Sequence, residues 1–241
     1  MCRSICAIVG VGEGLGKALA LKFANEGFDI AIISRSKVNS MPAIQAASDA
    51  ESDVHFIEAD ANNPESVEGA LNKIMTDMGK IEILIYNCRG EFKACAPLDM
   101  TYQELTDIFK LEVVGAFAAA KAVLPKMIEN SNGSIFFSSA TAAFRGSGSY
   151  PIYSIGKFGL RALSQSLAKA YSKDGVHIAH FRLDCDLDVP YVRNSTVLND
   201  REKILANPND IALCYWLTHQ QPKGAWSNEI ELRPNQEIWT Y

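Results

Sequence analysis

Glycines recur in a short loop near the start of the chain, at Gly10, Gly12, Gly14 and Gly16. An apolar, β-branched run ends at Val9, and a helical pattern begins at Leu15. Glycine permits a positive φ and lets backbone approach a phosphate closely, while a helix start offers free N–H groups and a positive dipole end. The pattern predicts a strand, loop and helix that bind the pyrophosphate of a dinucleotide. The alternative is a tight turn without a ligand.

Short apolar runs alternate with longer helical patterns along the whole chain. The predicted strands are Ser4–Val9, Asp29–Ser34, Val54–Ala59, Ile83–Tyr86, Gly133–Ser138, His177–Leu183 and Glu229–Leu232. The predicted helices are Leu15–Glu26, Pro42–Asp49, Pro64–Met78, Tyr102–Glu129, Ile152–Lys173 and Pro208–His219. Such alternation is typical of βαβ units. We therefore expect an α/β Rossmann fold, with a doubly wound parallel seven-stranded sheet in three α/β/α layers and a single domain over residues 1–241.

One irregular segment stands out near the end of this pattern. Residues 186–207 carry charges, Pro190 and the pair Asn207-Pro208, without helical or strand periodicity. Loops after strands gather at the carboxyl edge of an open α/β sheet, where ligands bind. We expect this segment to be a substrate lid.

Composition excludes several classes of protein. The formal net charge is −5, with 28 acidic and 23 basic residues dispersed along the chain, so we expect no nucleic-acid partner. Six cysteines show no C-x-x-C pair, and four single histidines show no metal-ligand spacing, so we expect reduced thiols, no metal and a cytoplasmic protein. The residues before the first strand lack the apolar stretch and cleavage site of a signal peptide, so we expect none. No apolar run reaches the roughly 18 residues of a membrane helix.

The end of the second predicted strand bears on the choice of dinucleotide. Ser34 and Arg35 stand where an NAD-binding site usually has an acidic residue for the ribose hydroxyls. Arg35 favours a 2′-phosphate, and hence NADP(H) over NAD(H). Glu13 opposes this preference if it faces the ribose, by up to about 4 kcal/mol at 4 Å and an effective dielectric near 20.

Tyr153 and Lys157 stand four residues apart in a predicted helix, which places both side chains on one face. A phenol has an unperturbed pKa near 10, and an ammonium group within about 4–6 Å lowers it by roughly 1–3 units. The pair would let Tyr153 exchange a proton. The alternative is a tyrosine at the edge of the core beside a solvated lysine.

These motifs occur together with others in a definite order: Gly10-x-x-x-Gly14-x-Gly16, Asp60 after the third strand, Asn87 after the fourth, Ser138-Ser139 after the fifth, and Tyr153-x-x-x-Lys157. Their order and spacing resemble the short-chain dehydrogenase/reductase family over essentially the whole chain. The segments Ala140–Gly146, Gly156–Leu163 and Ala225–Pro234 are similar to a less typical, bacterial-looking branch of it.

The resemblance implies hydride exchange between C4 of a nicotinamide and a carbonyl or secondary alcohol of a small molecule. It implies that Tyr153 is the acid or base, that Lys157 lowers its pKa and binds the nicotinamide ribose, and that a serine hydrogen-bonds the substrate oxygen. The implied cofactor contacts are Gly10, Gly14, Gly16, Ser34, Arg35, Asp60, Ala61, Asn87, Tyr153 and Lys157. Taken alone, Asp60 is also typical of a helix or turn cap, and Asn87 of a turn.

The resemblance also implies a subunit contact. The stretches Tyr102–Glu129 and Ile152–Lys173 match helices that form a four-helix contact in the family, so we expect a homodimer or homotetramer. The alternative is two core helices of a monomer, which light scattering distinguishes.

The chain departs from the family pattern at positions near the nicotinamide half of the expected cofactor site. Val9 replaces a threonine, Arg89 stands where a glycine is usual, and Asp184-Cys185 replaces Pro-Gly after the sixth strand. A cofactor-contacting threonine is missing at Val189.

Glu112 stands where the family has an asparagine that holds a proton-relay water. Its carboxylate either takes over the proton relay, or it pairs with Lys157 and cancels the lowering of the pKa that Tyr153 needs. Sequence leaves both open.

The identity of the catalytic serine is also open. Ser139 precedes Tyr153 by 14 positions, one more than is usual in the family, and Ala140 stands at the usual spacing. An insertion after Ser139 would keep it in place; otherwise Ser138 or Thr141 must serve.

Two functions are therefore expected. The first is an NADP(H)-dependent reductase or dehydrogenase with Ser139, Tyr153, Lys157 and Glu112 at its catalytic centre. The second is a dinucleotide-binding protein of the same fold that has lost turnover and acts as a sensor or scaffold. The retained Tyr153 and Lys157 favour the first.

Overall fold

The computed structural model describes residues 3–194 and 204–236. One sheet of seven parallel strands forms within them, in the order β3-β2-β1-β4-β5-β6-β7. The strands are β1 Ile5–Val9, β2 Asp29–Ser34, β3 Val54–Glu58, β4 Ile81–Tyr86, β5 Gly133–Ala140, β6 Val176–Leu183 and β7 Glu229–Leu232. The predicted Rossmann-type α/β sheet is confirmed.

Helices cover both faces of this sheet. They are α1 Leu15–Asn25, α2 Lys37–Asp49, α3 Pro64–Asp77, α4 Tyr102–Phe109, α5 Gly115–Glu129, α6 Pro151–Tyr171, α7 Pro190–Arg193 and α8 Pro208–His219. Side chains alternate along each strand, so each strand feeds two core layers. On β1, Ala7 packs in the layer with α3, α5 and α6, whereas Ile8 packs in the layer with α1, α2 and α8.

The second helix begins five residues before its predicted start at Pro42. Ser36 caps it, because the Ser36 hydroxyl accepts a hydrogen bond from the Asn39 N–H at 3.3 Å. The prediction of a start at Pro42 was wrong because the serine cap lies upstream and the proline is within the helix.

The predicted helix Tyr102–Glu129 is interrupted. A π-helical turn over Lys110–Val114 separates α4 from α5. A π turn adds a residue to one turn of the helix and is frequent at functional sites. It turns Glu112 inward, where the carboxylate is fully buried.

The carboxyl ends of β1 and β4 lie side by side, because the chain crosses between them after winding outward to β3. This is the switch point at which open α/β sheets bind ligands. The loops after β1 to β6 all reach this edge, and they contain Gly10, Arg35, Asp60 and Asn87.

The predicted lid, residues 186–207, is described only in part. It contains the short helix α7 and an isolated parallel bridge between Leu187 and Ala206. The prediction of an irregular loop is therefore corrected for 190–193, and residues 195–203 lie outside the described residues.

Two kinds of feature are absent from residues 3–194 and 204–236. No helix in them has the length and apolar character needed to cross a membrane. No cluster of three His, Cys, Asp or Glu side chains in them is arranged to hold a metal ion.

Candidate active site

The loop after β1 requires glycine at Gly10. Its φ is +89°, and a Cβ there would lie 2.8 Å from the Cys88 backbone nitrogen. Both the left-handed conformation and the close approach exclude other residues. At Gly16, a Cβ would lie 2.8 Å from the Val11 Cα. The loop therefore folds tightly under the start of α1.

Asn87, directly after β4, holds this loop from the neighbouring strand. Its amide nitrogen Nδ2 donates to the Gly10 carbonyl at 2.8 Å, and its backbone N–H donates to the Val9 carbonyl at 2.7 Å. The Asn87 side chain therefore holds the backbone of the glycine loop.

Three neighbouring cavities open along the carboxyl edge, and we name each by one of its residues. The Arg35 cavity has a volume of about 560 Å³, the Lys157 cavity about 300 Å³ and the Phe92 cavity about 470 Å³. Gly10, Gly12 and Asn87 line both of the first two. The glycine loop therefore joins the Arg35 cavity to the Lys157 cavity.

The Arg35 cavity brings together Ser34, Arg35, Asp60 and Ala61, four of the predicted cofactor residues. Arg35 is exposed, and the Ser34 hydroxyl donates to the Val11 carbonyl at 3.4 Å.

The carboxylate of Asp60 also closes a turn. Its Oδ1 accepts from the backbone N–H and from Nδ2 of Asn62, both at 3.0 Å. Asp60 therefore has the turn-cap geometry that its residue type suggests and lines the Arg35 cavity as well. Glu13 is exposed and is not among the residues lining that cavity.

The Lys157 cavity contains Tyr153 and Lys157 from the first two turns of α6, together with Gly14 and Gly16. Tyr153 is 6% exposed and Lys157 is 2% exposed, so the lysine is buried rather than solvated. The Lys157 Nζ lies 5.7 Å from the centre of the Tyr153 ring. The two side chains are neighbours, as their spacing predicts.

All three hydrogens of the Lys157 ammonium have acceptors. Nζ lies 2.8 Å from Oε2 of Glu112, 3.3 Å from the Ser138 carbonyl and 3.4 Å from the Cys88 carbonyl. Burial alone would lower the pKa of Lys157, but the charge and hydrogen bond of Glu112, together with Tyr153 and Cys88, outweigh burial and raise that pKa. Lys157 is therefore held as an ammonium ion.

Glu112 uses both oxygens. While Oε2 accepts from Lys157, Oε1 accepts from the Gly90 N–H at 2.8 Å. Two glycines leave room for Glu112 and its neighbour Ile108. A Cβ at Gly90 would lie 2.1 Å from Cδ1 of Ile108, and a Cβ at Gly156 would lie 3.0 Å from Cγ of Glu112. The structure thus shows the pairing of Glu112 with Lys157, one of the two arrangements left open by the sequence.

The expected lowering of the Tyr153 pKa is not found. Burial raises the pKa of Tyr153; Lys157 and Arg89 lower it, whereas Glu112 and Tyr191 act in the same direction as burial. Burial prevails because the phenolate would lose most of its solvation. Tyr153 is therefore a protonated phenol at neutral pH.

The three hydroxyl groups considered for substrate contact differ in their partners. The Ser138 hydroxyl lies 2.9 Å from the Tyr215 hydroxyl in the opposite core layer, and the Thr141 hydroxyl donates to the Asp184 carboxylate. Ser139 faces the α6 side, because neighbouring strand residues point to opposite faces. Its Oγ is buried without a hydrogen-bond partner. A buried hydroxyl of this kind lacks an acceptor or donor that a ligand would supply.

The Phe92 cavity lies beyond Tyr153 and includes Cys185, Ile204 and Leu205. The Phe92 ring stacks on Tyr150 at 3.9 Å and meets Tyr153 edge-on at 5.2 Å. Sequence reasoning missed Phe92, because the loop after β4 has no periodicity that assigns a direction to its side chains.

Residues of the predicted lid reach both cavities near Tyr153. Leu187, Val189 and Tyr191 line the Lys157 cavity, and Ile204 and Leu205 line the Phe92 cavity. Val189 packs 3.0 Å from the position of a Cβ on Gly14. The described parts of the segment therefore lie over the glycine loop and the tyrosine.

Comparison with known proteins identifies the class. A sequence model of the short chain dehydrogenase family matches residues 4–183, so the chain belongs to this family of oxidoreductases. The resemblance stated from the motifs is confirmed.

Individual relatives match over nearly the whole length. An uncharacterized oxidoreductase of Staphylococcus aureus (strain MRSA252) is 29% identical over 234 residues, which cover 95% of this chain and 96% of the relative. A short-chain dehydrogenase from Rhodopseudomonas palustris has a TM-score of 0.82 at 28% identity and covers 96% and 98% of the two chains. An alcohol dehydrogenase from the archaeon Thermococcus sibiricus, complexed with 5-hydroxy-NADP, has a TM-score of 0.85 at 22% identity and covers 99% and 100%.

The buried ion pair gives a test of stability. Glu112→Gln keeps the shape of the side chain but leaves the Lys157 ammonium buried opposite a neutral amide. We expect the free energy of unfolding at pH 7, measured by urea denaturation, to fall by about 3–5 kcal/mol.

The control adds Lys157→Met to the same chain, which removes the stranded charge and is expected to recover most of the loss. Because folding raises the pKa of Lys157, its contribution is complete below the ordinary value of 10.5 and is lost as pH rises through the folded-state value. A single variant as stable as the natural protein at pH 7 would contradict the pairing.

Proposed function

We propose that the protein is a short-chain dehydrogenase/reductase that exchanges a hydride between NAD(P)(H) and a carbonyl or secondary alcohol of a small molecule. One observation carries this proposal: Tyr153, Lys157 and Ser139 line the same cavity as Gly10, Gly14 and Gly16. The groups for proton exchange and the loop for phosphate binding thus face a common space.

The residues present fit a dinucleotide. The backbone of Cys88 lies so close to Gly10 that a side chain at Gly10 is excluded. Leu15 and Gly16, the first residues of α1, line the same cavity as Gly10. A helix start in this position favours phosphate. The loop would hold the diphosphate, Asn87 would hold the loop, and the Ser139 hydroxyl would gain a partner. When bound, the nicotinamide supplies or accepts a hydride at C4.

In carbonyl reduction, Tyr153 donates its phenolic proton to the substrate oxygen while the carbonyl carbon receives the hydride. Ser139 donates a hydrogen bond to the same oxygen. Lys157 places a positive charge beside the ring, which stabilises the phenolate that forms, and it lines the cavity where the nicotinamide ribose would contact it. In alcohol oxidation the phenolate takes the proton instead. Glu112 positions Lys157 and does not touch the substrate.

The cofactor preference that we propose is NADP(H) over NAD(H). Arg35 supports it, because the side chain lines the Arg35 cavity beside Ser34 and Ala61. An exposed guanidinium suits a 2′-phosphate, which it binds through two parallel hydrogen bonds. Solved structures with the same fold hold either cofactor, since one contains NADP and another contains NAD+.

Turnover is favoured over a sensor or scaffold without chemistry, because Tyr153, Ser139 and Lys157 are all retained within one cavity.

We also propose that the protein forms a homodimer or homotetramer. Four apolar side chains on α4 to α6 are 37–46% exposed: Phe109, Phe117, Ile155 and Phe158. Five described cysteines are free thiols, which supports a cytoplasmic location.

The proposed chemistry predicts a difference between adjacent serines. Oxidation of NADPH with a panel of aldehydes, ketones and quinones should be abolished by Tyr153→Phe. Ser139→Ala should lower kcat by about 10²-fold or more, because it removes a hydrogen bond to the reacting oxygen.

Ser138→Ala is the matched control, since its hydroxyl contacts Tyr215 in the opposite layer. It should cost about 1 kcal/mol of stability and leave kcat within a few-fold. Tight cofactor binding without turnover across the panel would contradict an enzyme, and equal effects of the two serines would contradict the assignment of Ser139.

The role of Arg35 is tested by thermal-shift titration. At equal concentration, NADP+ should raise the melting temperature more than NAD+ does, and Arg35→Ala should remove the difference. Lys37→Ala removes a nearby exposed charge that does not line the cavity, and it should keep the difference. A larger shift with NAD+ would reject the preference.

A further inference from the structure

Arg89 occupies a junction in the edge of the sheet. It lines the Arg35 cavity, the Lys157 cavity and the Phe92 cavity. No other described residue lines all three. Arg89 therefore lies at the boundary of each cavity with the other two.

Within residues 3–194 and 204–236, the guanidinium of Arg89 has no counter-charge. Its Nη1 donates to the Tyr191 hydroxyl at 3.2 Å, and its central carbon lies 5.4 Å from the centre of the Tyr191 ring. No described carboxylate lies within ion-pair distance of it. Because arginine carries five N–H donors, four remain for another acceptor.

The surroundings of Arg89 indicate which molecules reach it. Gly10 and Gly12 are shared by the Arg35 and Lys157 cavities, so a dinucleotide lying along both would cross there. Tyr153 is shared by the Lys157 and Phe92 cavities, where the substrate oxygen would lie. The positive charge also reaches Tyr153, whose pKa it lowers in opposition to burial. Arg89 thus faces both the path of the cofactor and the reacting end of the substrate.

A planar guanidinium with free donors and no carboxylate partner is suited to bind phosphate or carboxylate. We propose that Arg89 is an oxyanion-binding residue at this junction, where it binds the diphosphate of the dinucleotide or a carboxylate of the substrate. This inference rests on the proposed function for the identity of its two ligands. Tyr191 holds the guanidinium in place through the ring and the hydroxyl.

The first experiment uses inorganic pyrophosphate and NADP+ as probes in isothermal titration calorimetry. Pyrophosphate binding should weaken at least tenfold in Arg89→Gln and less in Arg89→Lys, which keeps the charge. Arg3→Gln, a surface control that removes one arginine outside the three cavities, should bind as the natural protein does. An equal weakening in NADP+ binding by Arg89→Gln assigns the oxyanion to the cofactor.

The second experiment tests the substrate as the source. With NADP+ saturating, binding of benzoylformate is compared with binding of its uncharged methyl ester. Preference for the acid in the natural protein, lost in Arg89→Gln while NADP+ affinity stays within twofold, assigns the oxyanion to the substrate. In both experiments Tyr191→Phe should change affinity by no more than about twofold to threefold, because it keeps the ring beneath the guanidinium.

Two outcomes overturn the inference. In one, Arg89→Gln binds pyrophosphate, NADP+ and benzoylformate as the natural protein does. In the other, Tyr191→Phe reproduces the whole loss seen in Arg89→Gln, which would make Arg89 a support for α7. The proposed function fails separately: a protein that neither binds dinucleotide nor turns over, yet binds pyrophosphate through Arg89, retains the oxyanion site without the oxidoreductase.

Discussion

The buried ion pair between Glu112 and Lys157 links the elements that build the site. Glu112 comes from the π turn between α4 and α5, Lys157 from α6, and Gly90 from the loop after β4. Removing two charges from water is costly unless each is paired and hydrogen-bonded, and here each oxygen of the carboxylate and each hydrogen of the ammonium has a partner. This arrangement holds the Lys157 ammonium group that lies beside the Tyr153 ring.

The groups proposed for phosphate binding and for proton transfer come from different elements of the fold that line one cavity. The glycine loop, Asn87 and the start of α1 depend on the backbone of β1 and β4, which is close to the family pattern. The Glu112–Lys157 ion pair, Arg89 and Ser139 lie at or beside the Lys157 cavity. At Glu112, Arg89 and Ser139 the sequence departs from the family pattern. We expect a change at Glu112 to act on Tyr153 through Lys157, because Glu112 pairs with Lys157 and does not line the cavities of the glycine loop.

The sequence predicts the sheet and the glycine loop because both depend on local signals. Strand periodicity identifies the seven strands, and the requirement for glycine at Gly10 comes from its own conformation. The partner of Glu112 is not a local property, since its contacts are 22 and 45 residues away and depend on a π turn. The number of residues between each hydroxyl and Tyr153 left three candidates for the substrate contact: Ser138, Ser139 and Thr141. The alternation of side chains along β5 and the contact between Ser138 and Tyr215 favour Ser139.

Glu112, by pairing with Lys157 and by its own charge, keeps Tyr153 protonated over a wider range of pH. The direct measurement is the pH dependence of kcat/KM for carbonyl reduction in the natural protein and in Glu112→Gln. Reduction needs a protonated Tyr153, so its alkaline limb reports the pKa of that phenol. Because the carboxylate raises this pKa, the limb should move to lower pH in Glu112→Gln. A limb at the same pH in both proteins would contradict the account.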